Sequence, residues 1–113
     1  MTLADFRKQL THSDHQFVDT LAFIEKNYQF QPTAFNNGYV VNITGQNEGS
    51  CKVLALAILE GFTHEEALLA FAEHYRSVLA TPEGNDHQNI RALQKSGLQA
   101  VSFDSFPLIK SNN

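Results

Sequence analysis

Residues 47–59 read NEGSCKVLALAIL and contain the segment around which the fold is predicted to form. A polar start gives way to the longest unbroken apolar run in the chain, residues 53–59. A helix from about 50 to 60 would be apolar on most of its sides, and such helices are buried all round. We therefore predict that this helix is the central buried element. The run before it, YVVNITG, is rich in β-branched residues and predicts a short strand at about 39–43.

Two helices are predicted before that strand. Thr2 can cap the first helix, and Ser13 or Asp14 can cap the second. Pro32 limits how far the second helix extends. Four apolar residues recur in it at helical spacing, which predicts one buried face. These residues are Phe17, Leu21, Ile24 and Tyr28.

A fourth helix is predicted after the central one. Thr63 and Glu66 form a capping box at its start, and the helix reaches Pro82. His74 is the polar residue on its otherwise apolar seam. A histidine in such a place is usually a hydrogen-bonded residue of the core or of a cleft.

The last third of the chain predicts one more helix and one more strand. Asn85 or Asp86 can cap the fifth helix, and Gly97 ends it. VSF at 101–103 predicts a short strand, and the polar residues at about 110–113 predict a frayed tail.

Together these elements predict an α+β fold that is mainly α. About five helices would surround a central buried helix, beside a small two-strand β element. With 113 residues, of which 42% are hydrophobic, the chain has the size and core of a single domain, 1–113.

Charge and composition disfavour several classes of partner. Eight Lys and Arg stand against twelve Asp and Glu, which gives a net charge of −4, and the basic residues are scattered. We therefore predict no nucleic-acid partner and no membrane surface as a partner. No Sec signal peptide and no transmembrane segment is recognisable. The lone cysteine fits a reducing compartment such as a cytoplasm, although export signals of other kinds would leave no readable pattern.

Several motifs form a set that is similar to a known family. They are FNNG (35–38), NEGSCK (47–52), EHYR (73–76), TPEGNDHQNIR (81–91) and the closing segment with PL at 107–108. The chain resembles the HopJ type III effector family. The resemblance implies a small bacterial protein of effector type, which a type III system could deliver into host cells. It brings no catalytic residues with it.

Cys51 is the chain's one cysteine and would lie in the first turn of the central helix. A helix start lowers the pKa of a thiol, Lys52 would help, and Glu48 would oppose. A nucleophilic Cys51 needs a base, for which His74 and His87 are candidates. The alternative is a small buried apolar residue.

The histidines and the glycine loop give weaker signals. The loop before the central helix has the topology of an anion site, but it lacks the Walker A spacing, and a plain structural turn is the alternative. No pair of histidines has the spacing of a zinc helix, so we predict no metal and no cofactor.

Polar side chains predict a cleft between the loop at 36–51 and the turn at 85–91. The predicted cleft residues are Asn36, Asn37, Asn42, Asn47, Glu48, Ser50, Lys52, Asp86, Asn89 and Arg91. We also expect Arg91 or Arg76 to pair with Asp86 or Glu73.

The main functional hypothesis is a non-catalytic module that binds a protein partner or a small polar ligand in this cleft. The alternative is a cysteine-dependent hydrolase or acyl transferase, in which Cys51 acts with His74 or His87. The sequence leaves the oligomeric state open.

Overall fold

Six α-helices and five short strands make up residues 1–111, the part of the chain that this computed structural model describes. The helices are α1 (Leu3–Gln9), α2 (Phe17–Asn27), α3 (Glu48–Leu59), α4 (His64–Leu69), α5 (Glu73–Ala80) and α6 (Gln88–Ser96). The strands are β1 (Tyr28–Phe30), β2 (Phe35–Asn37), β3 (Val40–Asn42), β4 (Val101–Phe103) and β5 (Leu108–Lys110). This architecture confirms the predicted α+β class.

Helix α3 is the central buried element, as predicted. Its residues from Val53 to Ala57 have no exposed surface. They pack against α2, α4 and β5, and burial of each large apolar side chain stabilises the fold by about 1.5–3 kcal/mol. Even so, none of the helices in residues 1–111 has the length and apolar character needed to cross a membrane.

The β structure consists of two small antiparallel sheets. β1 pairs with β5, and the other sheet has the order β3-β2-β4. Phe35 of β2 lies opposite Asn42 of β3 on one side and Phe103 of β4 on the other. The strands predicted at 39–43 and 101–103 therefore do not pair with each other but flank β2. β1, β2 and β5 were not predicted from the sequence, and all five strands have only three residues each.

Helix α2 is shorter than predicted at both ends. Gln16, rather than Ser13 or Asp14, is the residue before its first turn. Tyr28, predicted on its apolar face, begins β1 instead, and its hydroxyl donates to the carboxylate of Glu60. The helix ends there because the chain turns into the strand that pairs with β5.

The tail is ordered further than predicted. Lys110 lies in β5 opposite Tyr28, and the N–H of Ser111 donates to the carbonyl of Asn27 over 2.9 Å. The prediction of fraying from about residue 110 is therefore wrong for these two residues. The last two residues of the predicted tail lie outside the described residues.

The predicted fourth helix is split into α4 and α5. Ala72 interrupts it with a φ of 55° and a ψ of −123°. Two hydrogen bonds to the α2 region hold the break. Thr20 donates to the carbonyl of Ala70 over 2.8 Å, and Glu73 accepts from the N–H of Phe17 over 2.6 Å. Tertiary hydrogen bonds thus replace part of the ladder that a continuous helix would form.

The imidazole of His15 links α1, α2 and this break, and it is only 1% exposed. The hydroxyl of Thr20 donates to Ala70, so it must accept from Nε2 of His15, 2.8 Å away. Nδ1 then accepts from the side-chain amide of Gln9 over 2.9 Å. The ring is therefore neutral, and burial lowers the pKa of His15.

The free energy of unfolding should fall as the pH drops from about 7 to about 5. A histidine whose pKa is lowered by folding stabilises the fold above the pKa of the unfolded chain, about 6.5, and this contribution is lost below it. Urea denaturation of the wild type and of His15→Gln at several pH values would measure this loss of stability. The free energy of unfolding of His15→Gln should depend less on pH. The exposed His12 offers a control in His12→Gln. Equal pH dependence in all three proteins would contradict the assignment.

Candidate functional site

A pocket of about 460 Å³ lies between the first turns of α3, α5 and α6. We call it the helix-start pocket. Its walls are formed by Phe17, Asn47, Gly49, Ser50, Phe71, His74, His87, Gln88, Asn89 and Ile90. A concave site with aromatic walls and a few convergent polar groups is the usual form of a small-molecule site.

Strained backbone marks the three helix starts. Asn47 (φ 53°), Ala72 (φ 55°) and His87 (φ 50°) are the residues other than glycine, within the described part of the chain, that have a positive φ. They immediately precede α3, α5 and α6, and none of their side chains caps its helix. Such conformations cost of order 1–3 kcal/mol each and tend to occur at functional sites. Within residues 1–111, the N–H groups of residues 48–50 and 88–89 have no hydrogen-bond partner, and residues 49, 50, 88 and 89 line the pocket.

Two histidines stand side by side in the pocket. The ring centroids of His74 and His87 are 5.0 Å apart, and the edge of Phe17 packs against His74. Both imidazoles are half-buried. Within residues 1–111, no side chain or carbonyl hydrogen-bonds to the ring of His74, and the nearest carboxylate oxygen to His87 Nε2 is that of Asp86, 4.0 Å away. Their ring nitrogens can therefore contact a ligand.

Arg91 holds the loop that delivers His87 to the pocket. Its guanidinium donates to the carbonyl of Thr81 over 2.9 Å and to the carboxylate of Asp86 over 2.7 Å. The hydrogen bond from Arg91 lowers the pKa of Asp86. Gly84 lies so close that a Cβ there would approach the guanidinium to 2.7 Å. The expected pairing of Asp86 with Arg91 is confirmed. The ion pair stabilises the loop before α6, and neither residue lines the pocket.

A buried network of asparagine side chains joins the sheet to the helix starts. Oδ1 of Asn42 accepts from Asn47 over 2.7 Å and from Asn89 over 3.0 Å. Oδ1 of Asn89 accepts from Asn37 over 3.1 Å and from Asn42 over 3.2 Å. Asn37, Asn42 and Asn89 are each at most 5% exposed. The network therefore fixes the first turns of α3 and α6 against β2 and β3.

The comparison with known proteins agrees with this fold. The family model described as HopJ type III effector protein matches residues 3–108. This chain belongs to the HopJ family. A crystal structure of a protein of unknown function, VPA0580, is 38% identical, with a TM-score of 0.91 over 98% of this chain and 95% of that chain. No curated protein matches the chain.

Several residues predicted to line the cleft of this HopJ protein lie elsewhere. Asn36 is exposed on the outer face of β2, because successive side chains of a strand point to opposite faces. Glu48 is exposed, and the ammonium of Lys52 lies 4.9 Å from the ring centroid of Phe30. Asn37 and Asn42 are buried in the network and do not line the pocket.

Cys51 is a core residue and not a pocket residue. It is 1% exposed and belongs to the buried apolar cluster around α3. Burial raises the pKa of the Cys51 thiol to about 11, with a further contribution from Glu48 that Lys52 partly offsets. Burial outweighs the helix-start effect that suggested a thiolate. The alternative of a small buried apolar residue describes it best.

Sequence reasoning missed the aromatic walls of the pocket. Phe17 was predicted on the buried face of the second helix, and Phe71 was not selected. Their parallel rings, with centroids 6.1 Å apart, form part of the pocket wall. No pattern in the sequence separates a wall residue from a core residue on the same helical face. The break at Ala72, which turns this part of the chain towards the pocket, also carries no glycine or proline signal.

Replacement of Asn42 by alanine should destabilise the fold by about 1–3 kcal/mol, because it leaves the buried side-chain N–H of Asn89 without this partner. Asn36→Ala is the matched control on the adjacent strand, where the exposed side chain should contribute within about 0.5 kcal/mol. Urea denaturation of both variants measures the difference. A similar small effect at both positions would show that the network does not stabilise the fold.

Cys51 should react slowly with iodoacetamide in the folded protein at about pH 8, because the thiol is buried and protonated. In urea the rate should rise to that of an ordinary cysteine, with an apparent pKa of about 8.5. Mass spectrometry of timed samples gives both rates. A fast reaction of the folded protein below about pH 7 would instead indicate a reactive thiolate.

Proposed function

We propose that this HopJ protein is a non-catalytic binding module whose helix-start pocket takes a small polar ligand or a polar group of a partner protein. The convergence of His74, His87 and the open first turns of α3 and α6 on one concave site carries the proposal. The aromatic side chains beside these groups add apolar contact surface, which is the composition expected of a specific small-molecule site.

Binding without catalysis is favoured over hydrolysis. A cysteine-dependent hydrolase or acyl transferase needs a thiolate next to a base, and the thiol of Cys51 is buried with a raised pKa. Within residues 1–111, neither His74 nor His87 hydrogen-bonds to Cys51 or to the nearby hydroxyl of Ser50. The groups in the pocket are therefore better suited to hold a ligand than to attack one.

Membership of the HopJ family supports a role as an effector-type bacterial protein. We propose that the chain is made in the bacterial cytoplasm and can be delivered by a type III system. A reporter fused to the chain would test delivery. Secretion that persists in bacteria without a functional type III apparatus would count against it.

A fragment screen by amide-resolved NMR tests the binding role directly. We expect hits of small polar compounds to shift the amide signals of residues 49–50 and 87–90, because these N–H groups surround the pocket. The variant His74→Gln should weaken the hits, whereas His64→Gln, at an exposed position on α4, should not. A screen in which every hit maps outside the pocket, or in which no neutral, cationic or anionic fragment binds, would overturn the proposal.

A further inference from the structure

We infer that the ligand of the helix-start pocket is a small organic oxyanion: a carboxylate or phosphate group that contacts His74 and His87, attached to an apolar body. The inference rests on the proposed function and names the chemical class of the ligand. The histidine pair, rather than the helix ends, is the basis of this inference. The two ring centroids are 5.0 Å apart, and no hydrogen bond from residues 1–111 reaches either ring.

The charged side chains around the pocket are already engaged. Glu73 accepts the N–H of Phe17, and Asp86 accepts from Arg91. Glu48, in the first turn of α3, is exposed and outside the pocket wall. These are the carboxylates in the first turns of α3 and α5 and in the loop that precedes α6.

The cations are engaged elsewhere as well. The ammonium of Lys52 packs on Phe30, and the guanidinium of Arg76 donates to the carbonyl of His15 over 3.1 Å. No lysine or arginine is among the residues that form the pocket wall in the described part of the chain. The two imidazoles are therefore the groups that can supply positive charge to a ligand.

A metal ion is the competing occupant of a histidine pair. Metal sites normally need three or four protein ligands, and residues 1–111 hold no group of three His, Cys, Asp or Glu side chains suited to a metal. The positive ends of α3 and α6 would also repel a cation, whereas they attract an anion. The absence of a third metal ligand in residues 1–111 and the two helix N-termini thus favour the oxyanion over a metal ion.

The pocket is larger than a bare anion needs, and its wall is part polar and part apolar. Phe17, Phe71 and Ile90 form part of its wall, and the volume of about 460 Å³ is within the range of sites for organic ligands. An apolar body attached to the oxyanion would pack mainly on the half-buried ring of Phe17, since Phe71 and Ile90 are already buried. Inorganic phosphate or acetate would lack this contact and should bind more weakly.

Binding should be coupled to proton uptake. Histidine side chains change charge between about pH 5 and 8, and the imidazolium form gives the stronger, charge-assisted hydrogen bond to an oxyanion. An oxyanion whose own charge is constant in this range should therefore bind more tightly as the pH falls.

Four matched probes test the class of ligand by NMR titration: phenylacetate, acetate, 2-phenylethanol and 2-phenylethylamine. We expect phenylacetate to bind best and 2-phenylethylamine not to bind at the pocket. Phenylacetate should bind roughly tenfold more tightly at about pH 6 than at about pH 8. Phenyl phosphate, used as a fifth probe, distinguishes a preference for phosphate from one for carboxylate.

Two variants test the histidines. His74→Gln keeps a hydrogen-bonding side chain without its charge, and His87→Asn suits the left-handed backbone that this position needs. Each should lose most of the pH dependence, whereas the exposed His12→Gln should keep it. Circular dichroism confirms that each variant is folded.

The outcomes separate the two proposals. Pocket binding of the alcohol or the amine as tight as that of phenylacetate, or binding independent of pH, would overturn the oxyanion class and leave the binding role in place. Failure of both phenylacetate and phenyl phosphate to bind also overturns it. Only the fragment screen, with neutral and cationic compounds, decides whether the pocket binds any ligand.

Discussion

The side-chain amide of Asn42 is the group on which the relative position of the sheet and the site depends. It connects β3 to Asn47 before α3 through a partly buried hydrogen bond and to Asn89 in α6 through two buried ones. Apolar contacts alone would tolerate small shifts of one helix along another. Hydrogen bonds in a low-dielectric interior have defined lengths and angles, so they fix the two helix starts in one arrangement.

A rigid core makes the strained helix starts possible. α3 is surrounded on all sides, and its burial supplies free energy against which the unfavourable backbone at Asn47, Ala72 and His87 is small. Each strained residue has its own local support. The asparagine network holds Asn47, Thr20 and Glu73 hold the segment around Ala72, and Arg91 holds the loop before His87. The pocket is formed where these three supports meet.

The sequence predicted the apolar centre of the fold better than its polar parts. Local patterns predicted the burial of α3 and the start of α4 after Thr63, because each spans only one or two helical turns. Local patterns of strand-forming residues likewise predicted β3 and β4. β2 was missed because FNN contains two asparagines, which strands disfavour, and Asn37 is accommodated there only by its bonds to Asn89. The bend at Ala72 depends on hydrogen bonds to α2, which no local pattern can report.

For the site, sequence reasoning selected five residues that line the pocket, because unusual polar residues in apolar patterns are visible in a sequence. They are His74, His87, Asn47, Ser50 and Asn89. It could not show that Cys51 faces inward, since the first turn of a buried helix has both inner and outer sides.

The pairing of the last strands with early ones has a consequence for how the chain folds during synthesis. β5 pairs with β1, and β4 pairs with β2, so each sheet joins segments from opposite parts of the chain. A nascent chain leaves the ribosome with its N-terminal part first. The helices and the β2–β3 hairpin can form early, but neither sheet is complete until residues 101–110 have emerged. These long-range pairings close large loops, which makes them the slow steps of folding. The edges of β1 and β2 therefore remain open to other chains for most of the time that the protein is being made.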